Sequence, residues 1–283
     1  ATNHYIYSPG SVAMLSTSYS QRGLSLLLQA KRSENFNFLS ARSTVGTPLH
    51  INHLPAFTAN HTYTLAALYP YATQPDGEWA LQGDIRYTIP RGTLLGGKYG
   101  TGLRVNYAHV RGLKSVATDQ LPLDAPEGKL YGTDGYQHPF FGMGELYYSD
   151  FNFELSKKFS RTVSMTFEYY HQIYNQQVVE GHAINNPLVY SNIFVLDGKF
   201  RLAPRYTLRT ELQYLYSRQA EGSWLFGLAE LSVAPNWMIT LSDQYNIDMT
   251  KEHYYMGSLT YAKGNHRLQL GYGRTRAGIN CSG

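Results

Sequence analysis

Trp79-Ala80-Leu81-Gln82-Gly83-Asp84-Ile85-Arg86-Tyr87-Thr88-Ile89 alternates without a break. Trp79, Leu81, Ile85, Tyr87 and Ile89 share one parity, and Gln82, Asp84, Arg86 and Thr88 the other. A helix would scatter both sets around its circumference, whereas a strand sends successive side chains to opposite faces. The run is also long. A strand that crosses a bilayer obliquely needs about 9–11 residues, and a strand of a soluble sheet is usually nearer five or six.

The same alternation recurs along the chain. Tyr99, Thr101, Leu103, Val105 and Tyr107 oppose Gly102, Arg104 and Asn106. Phe151, Phe153 and Leu155 oppose Asp150, Asn152, Glu154 and Ser156. Val163, Met165, Phe167 and Tyr169 oppose Ser164, Thr166, Glu168 and Tyr170. Leu208, Leu212, Tyr214 and Tyr216 oppose Arg209, Glu211 and Gln213, and Leu268, Leu270 and Tyr272 oppose Arg267 and Gln269. Weaker versions occupy 12–20, 24–32, 62–72, 188–202, 224–234, 237–247 and 254–262. The expected fold is all-β: an antiparallel transmembrane β-barrel with about 12–14 strands in this segment.

Composition agrees. Only 16% of the 283 residues are charged, aromatics reach 14%, and there are 25 tyrosines and 26 glycines. A soluble domain carries about a quarter charged residues. No apolar run approaches the length of a spanning helix, and the aromatic content excludes disorder. One cysteine excludes an internal disulfide scaffold, and a net charge of +4 without basic clusters gives no sign of nucleic acid as a partner.

The alternation assigns faces. Gln82, Asp84, Arg86, Arg104, Asn106, Asn152, Glu154, Glu168, Arg209, Glu211, Gln213, Arg267 and Gln269 are expected to line the lumen. Leu81, Ile85, Leu103, Val105, Phe153, Phe167, Leu212 and Leu270 are expected to meet lipid. Phe159, Tyr206 and Trp237 follow short turns, where an interfacial aromatic girdle belongs. Short connections lie at 21–23, 157–160, 203–206, 234–237 and 263–266, and long ones at about 33–60, 111–144 and 174–187. Outer-membrane barrels put short turns on the periplasmic side, which implies a bacterial outer membrane with its bilayer and lipopolysaccharide as surroundings. The chain is expected to be one domain, 1–283, belonging to a larger barrel. With 263–266 periplasmic, the last strand runs outward and no closing strand follows it before Gly283. Cys281 is either half of a loop disulfide or a lone thiol.

Chemical motifs are sparse. No phosphate-binding loop and no Gly-x-Ser-x-Gly elbow is present. His109, His171 and His182 with Asp119, Asp124, Asp134 or Glu180 offer a rim enzyme. His50, His53 and His61 offer a metal cluster, and Asp119, Asp124, Glu127 and Asp134 a calcium loop. None has the spacing its chemistry requires, so no enzyme, metal or cofactor is expected. Phe140-Phe141 is an apolar loop tip that suits a plug, a partner contact or packing on the rim.

Three stretches carry a resemblance: Ala67–Glu78, Leu95–Thr101, and the closing Gly271-Tyr272-Gly273-Arg274 with Gly278 and Cys281. They resemble an uncharacterised family of Bacteroidota outer-membrane barrels, a domain of unknown function, from about residue 50 onward. The resemblance implies location and architecture and brings no catalytic residues. The strongly polar interior expected from the alternation points to a channel for small polar solutes. The alternative is a structural or accessory barrel with a plugged lumen, holding partner proteins in an outer-membrane complex.

Overall fold

A computed structural model describes residues 10–36, 54–74, 76–117, 136–181 and 183–276. The described residues are all-β apart from one five-residue helix, α1 (Gln176–Glu180). Among the described residues no helix is long and apolar enough to cross a membrane.

The strands are β1 (Ser11–Gln21), β2 (Leu24–Glu34), β3 (Gly77–Ile89), β4 (Thr101–Leu113), β5 (Val116–Ala117), β6 (Tyr136–Gln137) and β7 (Met143–Lys158). They continue with β8 (Val163–Asn175), β9 (Leu188–Ala203), β10 (Tyr206–Tyr216), β11 (Trp224–Val233), β12 (Trp237–Asn246), β13 (His253–Lys263) and β14 (His266–Gly273). All but β5 and β6 form one 12-stranded sheet in chain order, every neighbouring pair antiparallel. β5 and β6 pair with each other as a small sheet of their own. Among the described residues the sheet is open: β1 and β14 each have a single neighbour.

The connections fall at two ends. At the turn end most reversals are tight, as between Gln21 and Leu24, where Arg22 (φ 29) and Gly23 (φ 85) take the left-handed backbone of a two-residue hairpin, while the β3–β4 connection, 90–100, is longer. At the loop end lie the connections 35–76, 114–142, 176–187, 217–223 and 247–252. Asn246 joins two of them. Its side-chain oxygen accepts from the amides of Met249 and Thr250, both at 2.8 Å, and its amide donates to Glu221 O at 2.8 Å.

The stretch 62–72, expected to be a weak strand, is irregular, with turns around 64–67. Pro70 cannot donate to a ladder, and Pro75 just beyond it bars a longer run, so the apolar residues here pack without pairing. The connection between β2 and β3 is correspondingly longer than the 33–60 read from sequence. Its described part, 54–74, lies against one face of the sheet and buries Phe57, Tyr63, Leu65, Ala66 and Tyr69.

That face is the covered face, and its counterpart is bare. Buried on the covered face are Ala80, Val110, Tyr148, Tyr170, Tyr174, Ile193, Val195, Leu215 and Trp224, which with the segment form an apolar core cluster. The bare face exposes large apolar side chains from strand to strand, among them Leu81, Ile85, Phe167, Phe194, Leu241 and Leu268, with Leu212 62% exposed.

Candidate functional site

The candidate site is the covered face with segment 54–74 seated on it. Cross-strand pairing fixes which residues share this face, because directly opposed residues of an antiparallel pair point the same way. Asp84 opposes Asn106, Asn106 opposes Asn152, and Arg104 opposes both Arg86 and Glu154. Glu154 opposes Glu168, Asp197 opposes Glu211, Gln213 opposes Val195, and Arg209 opposes Glu230. Gln82 opposes Ala108, and Gln269 and Arg267 oppose Thr260 and Ala262. The residues expected to line a lumen thus share the covered face. Leu81, Ile85, Leu103, Val105, Phe153, Phe167, Leu212 and Leu270 share the bare face. Tyr206 and Trp237 are exposed at the turn-end starts of β10 and β12, and Phe159 is exposed in the β7–β8 turn.

The segment is fixed at both ends by one lysine. Lys31 projects from β2, and its Nζ donates to Pro55 O at 2.5 Å and to Thr73 Oγ1 at 2.9 Å. Glu78 Oε1 of β3 lies 2.8 Å away as its ion-pair partner, and both side chains are completely buried. Two of its protons thus go to the segment, and its charge is met by the Glu78 carboxylate. Glu78 in turn accepts from Tyr71 Oη and, at 2.9 Å, from the Gln74 amide. The two ends of the excursion are therefore tied to one ion pair.

Between these ends the segment reaches across the face to β10 and returns. His61 Nε2 lies 2.8 Å from Asp150 Oδ2, its ring edge-on to Tyr170. The Leu65 amide donates to Gln213 Oε1 at 2.8 Å, and Gln172 Nε2 donates to Ala66 O at 3.0 Å. Tyr71 stacks on Tyr148 with centroids 5.2 Å apart, and Tyr69 packs on Tyr174. Burial pushes the Tyr69 phenol up to about 12, and burial first, then the Glu78 carboxylate, raises Tyr71.

From the segment two polar threads run toward the turn end. The first passes from Asp150 through Asn152 Nδ2 (3.2 Å) to Asn106 Oδ1 (3.3 Å), then from Asn106 Nδ2 to Asp84 Oδ2 (3.1 Å). Asp84 holds Arg104 Nε at 2.6 Å and Arg86 Nε at 2.9 Å. The second passes from Gln213 to Glu211, on to Arg209, and from Arg209 Nη2 to Asp197 Oδ2 at 2.7 Å. Of the predicted lumen set, Arg104 pairs with Asp84 across strands, Arg86 with Asp84 and Arg209 with Glu211 along one strand, and Arg209 reaches Asp197 of the neighbouring strand.

The other candidates are placed differently. His109 and His171 lie on the bare face, Nδ1 to Tyr107 Oη at 3.2 Å and to Asn192 Oδ1 at 3.1 Å. Neither partner is a carboxylate or a serine. His50, His53, Asp119, Asp124, Glu127, Asp134, His182 and Cys281 lie outside the described residues. Glu180 ends α1 and accepts from Gln176 Nε2 at 3.0 Å. Among the described residues no three His, Cys, Asp or Glu side chains gather as a metal site. Lys31 and Glu78, the residues that fix the segment, were missed from the sequence. Glu78 stands beside Trp79 in the deciding strand and has the covered-face parity, so the signal was present.

The whole chain, residues 1–283, matches one family model. The protein belongs to DUF6029, a family of unknown function. The match extends over the first 50 residues, which the resemblance read from sequence did not reach. No curated protein matches the chain. Membership of DUF6029 carries no activity with it, so the chemistry is argued from the geometry above.

Lys31→Met leaves Glu78 buried without its cation and is expected to destabilise the fold by about 3–5 kcal/mol. Lys31→Met combined with Glu78→Leu is expected to cost much less; denaturant midpoints of the single and double variants measure the difference.

Alkaline pH is expected to loosen the same segment. An unfolded tyrosine ionises near pH 10, and Tyr69 in the folded protein only near about 12. Its folded pKa is raised, so its contribution is complete below about pH 10 and is lost as pH climbs to about 12. Phenolate absorbance, wild type against Tyr69→Phe, should show one late-titrating group fewer in the variant.

Proposed function

We propose that the protein is the wall of a β-barrel in a bacterial outer membrane, occluded at its loop end by residues 54–74. In this account it serves as a structural or accessory barrel rather than an open pore. The observation that carries the location is the bare face. Soluble monomers rarely expose contiguous apolar patches beyond a few hundred Å². Here large apolar side chains stand exposed from Leu15 on β1 to Leu270 on β14, while the opposite face carries ion pairs and amides. Hydrocarbon on one side and a polar interior on the other is the solvent pair that such alternation fits. A bilayer also requires every backbone group of β1 and β14 to find a partner, which favours a closed assembly.

Tyr206, Trp237 and Phe159 at the turn end suit an interfacial girdle, and the surroundings are then lipid and lipopolysaccharide, with partner proteins held by wall or loops. Occlusion follows from the seating of 54–74: Leu65 and Ala66 are fully buried, and both ends of the segment meet Lys31. One observation favours the second reading, a channel for small polar solutes. The turn-end half of the covered face stays accessible, with the Arg86 side chain 61% exposed.

Planar bilayers separate the two. The purified protein is expected to give no stepwise conductance, and a variant lacking 56–72 is expected to give regular steps. Steps from the unmodified protein would establish the channel instead.

A further inference from the structure

Glu34, Ser115 and His138 are far apart in sequence and meet at the loop end of the bare face. Glu34 closes β2 on the same side as Arg32, which opposes Trp79. The two described ends of the β4–β7 connection fold over this corner. Arg32 holds them there: its Nη2 donates to His138 O and its Nε to Phe140 O, both at 3.1 Å. Its Nη1 donates to Glu34 Oε2 at 2.8 Å, so the carboxylate is positioned by the same guanidinium.

Glu34 Oε1 lies 3.0 Å from His138 Nδ1, and His138 Nε2 lies 3.1 Å from Ser115 Oγ. A carboxylate only accepts, so the proton between Glu34 and His138 sits on Nδ1. Nε2 is then the bare nitrogen, and it faces the serine hydroxyl. This is the order hydroxyl, imidazole, carboxylate in which a serine is activated as a nucleophile. Ser115 is exposed, whereas His138 and Glu34 are mostly covered. Beside them stands an aromatic group on the same corner: Phe140 edge-on to Trp79, and Phe141 stacked on Trp79 and 84% exposed.

We propose that Ser115, His138 and Glu34 form a hydrolase site for esters of apolar acyl chains. Ser115 Oγ bonds to the ester carbonyl carbon as its proton passes to His138 Nε2. The bond to the alcohol oxygen breaks, and the alcohol leaves with that proton. Water, deprotonated by His138, then attacks the acyl carbon and releases the carboxylic acid, restoring Ser115. Glu34 is a positioning residue that holds the imidazole tautomer and favours the imidazolium. Phe140, Phe141 and Trp79 offer the acyl chain an apolar surface. The amide of Lys114, next to Ser115, is engaged with Gly142 O at 3.1 Å, so the developing oxyanion is the charge least provided for, and activated esters are the natural first substrates. The site is independent of the membrane assignment, since it needs only the loop-end corner of the sheet.

The test uses the folded full chain in detergent with a fluorophosphonate probe and p-nitrophenyl esters from acetate to octanoate. The adduct is expected on Ser115 by peptide mass spectrometry, with hydrolysis rising with acyl length. Ser115→Ala should abolish both, and His138→Ala should lower hydrolysis by about a hundredfold or more. Glu34→Gln should lower kcat with KM for the same ester unchanged, and Glu34→Asp should recover part of the loss, a split that a purely structural role would not produce. Fatty acid released from phospholipid micelles identifies a membrane lipid as the ester, and release only from dissolved esters identifies a soluble one. A protease-resistant protein with no adduct on Ser115, or equal hydrolysis by Ser115→Ala, overturns the proposal. Equal rates across acyl lengths overturn the acyl assignment.

Discussion

Side-chain parity, carried without slippage through one continuous antiparallel ladder, is the constraint on which the rest of the structure depends. A slip of one residue would move a strand's whole apolar set to the opposite face. The register prevents this from β1 to β14. Irregularities occur only at strand ends, between Val110 and Leu113 and between Tyr206 and Thr207. Because parity holds, Asp84, Asn106 and Asn152 of three adjacent strands come to one line, and Leu103, Leu155 and Phe167 come to the other side.

The covered face is built in two halves. Toward the loop end it is aromatic and aliphatic, and segment 54–74 completes it as a core. Toward the turn end it is ionic, and Asp84, Arg104, Arg86, Asp197, Arg209 and Glu211 satisfy one another. Lys31 stands at the point where the segment enters and leaves. A fully buried ion pair costs desolvation on both sides, and its geometry must then be good to be tolerated. Here the ammonium faces the Glu78 carboxylate and donates two hydrogen bonds to the segment itself. Removing the segment would therefore strand a charge as well as expose Tyr148, Ile193 and Leu215.

Much of this was legible in the sequence because alternation is a local signal. The strands around Asp84, Arg104, Glu154, Glu168, Arg209 and Gln269, and the face of each named residue, follow from parity alone. Segment 54–74 was not legible, because 62–72 has the composition of a strand and only Pro70 and Pro75 contradict it. The corner formed by Glu34, Ser115 and His138 was also hidden. No motif surrounds Ser115, and the three residues meet only after a loop folds back over β2. Long-range meetings of single side chains leave no periodicity to detect. Parity also left open whether the charges of the covered face pair, and the distances around Asp84 and Arg209 show that these do.

The account stands or falls on what the bare face touches. Single nitroxide labels placed successively at residues 81–88 in proteoliposomes, read for collision with oxygen and with a water-soluble nickel chelate, report this directly. The account predicts oxygen accessibility that peaks at 81, 83, 85 and 87, with no nickel contact at 83 and 85. Nickel accessibility at 81, 83, 85 and 87, or oxygen values without a two-residue period, would contradict it.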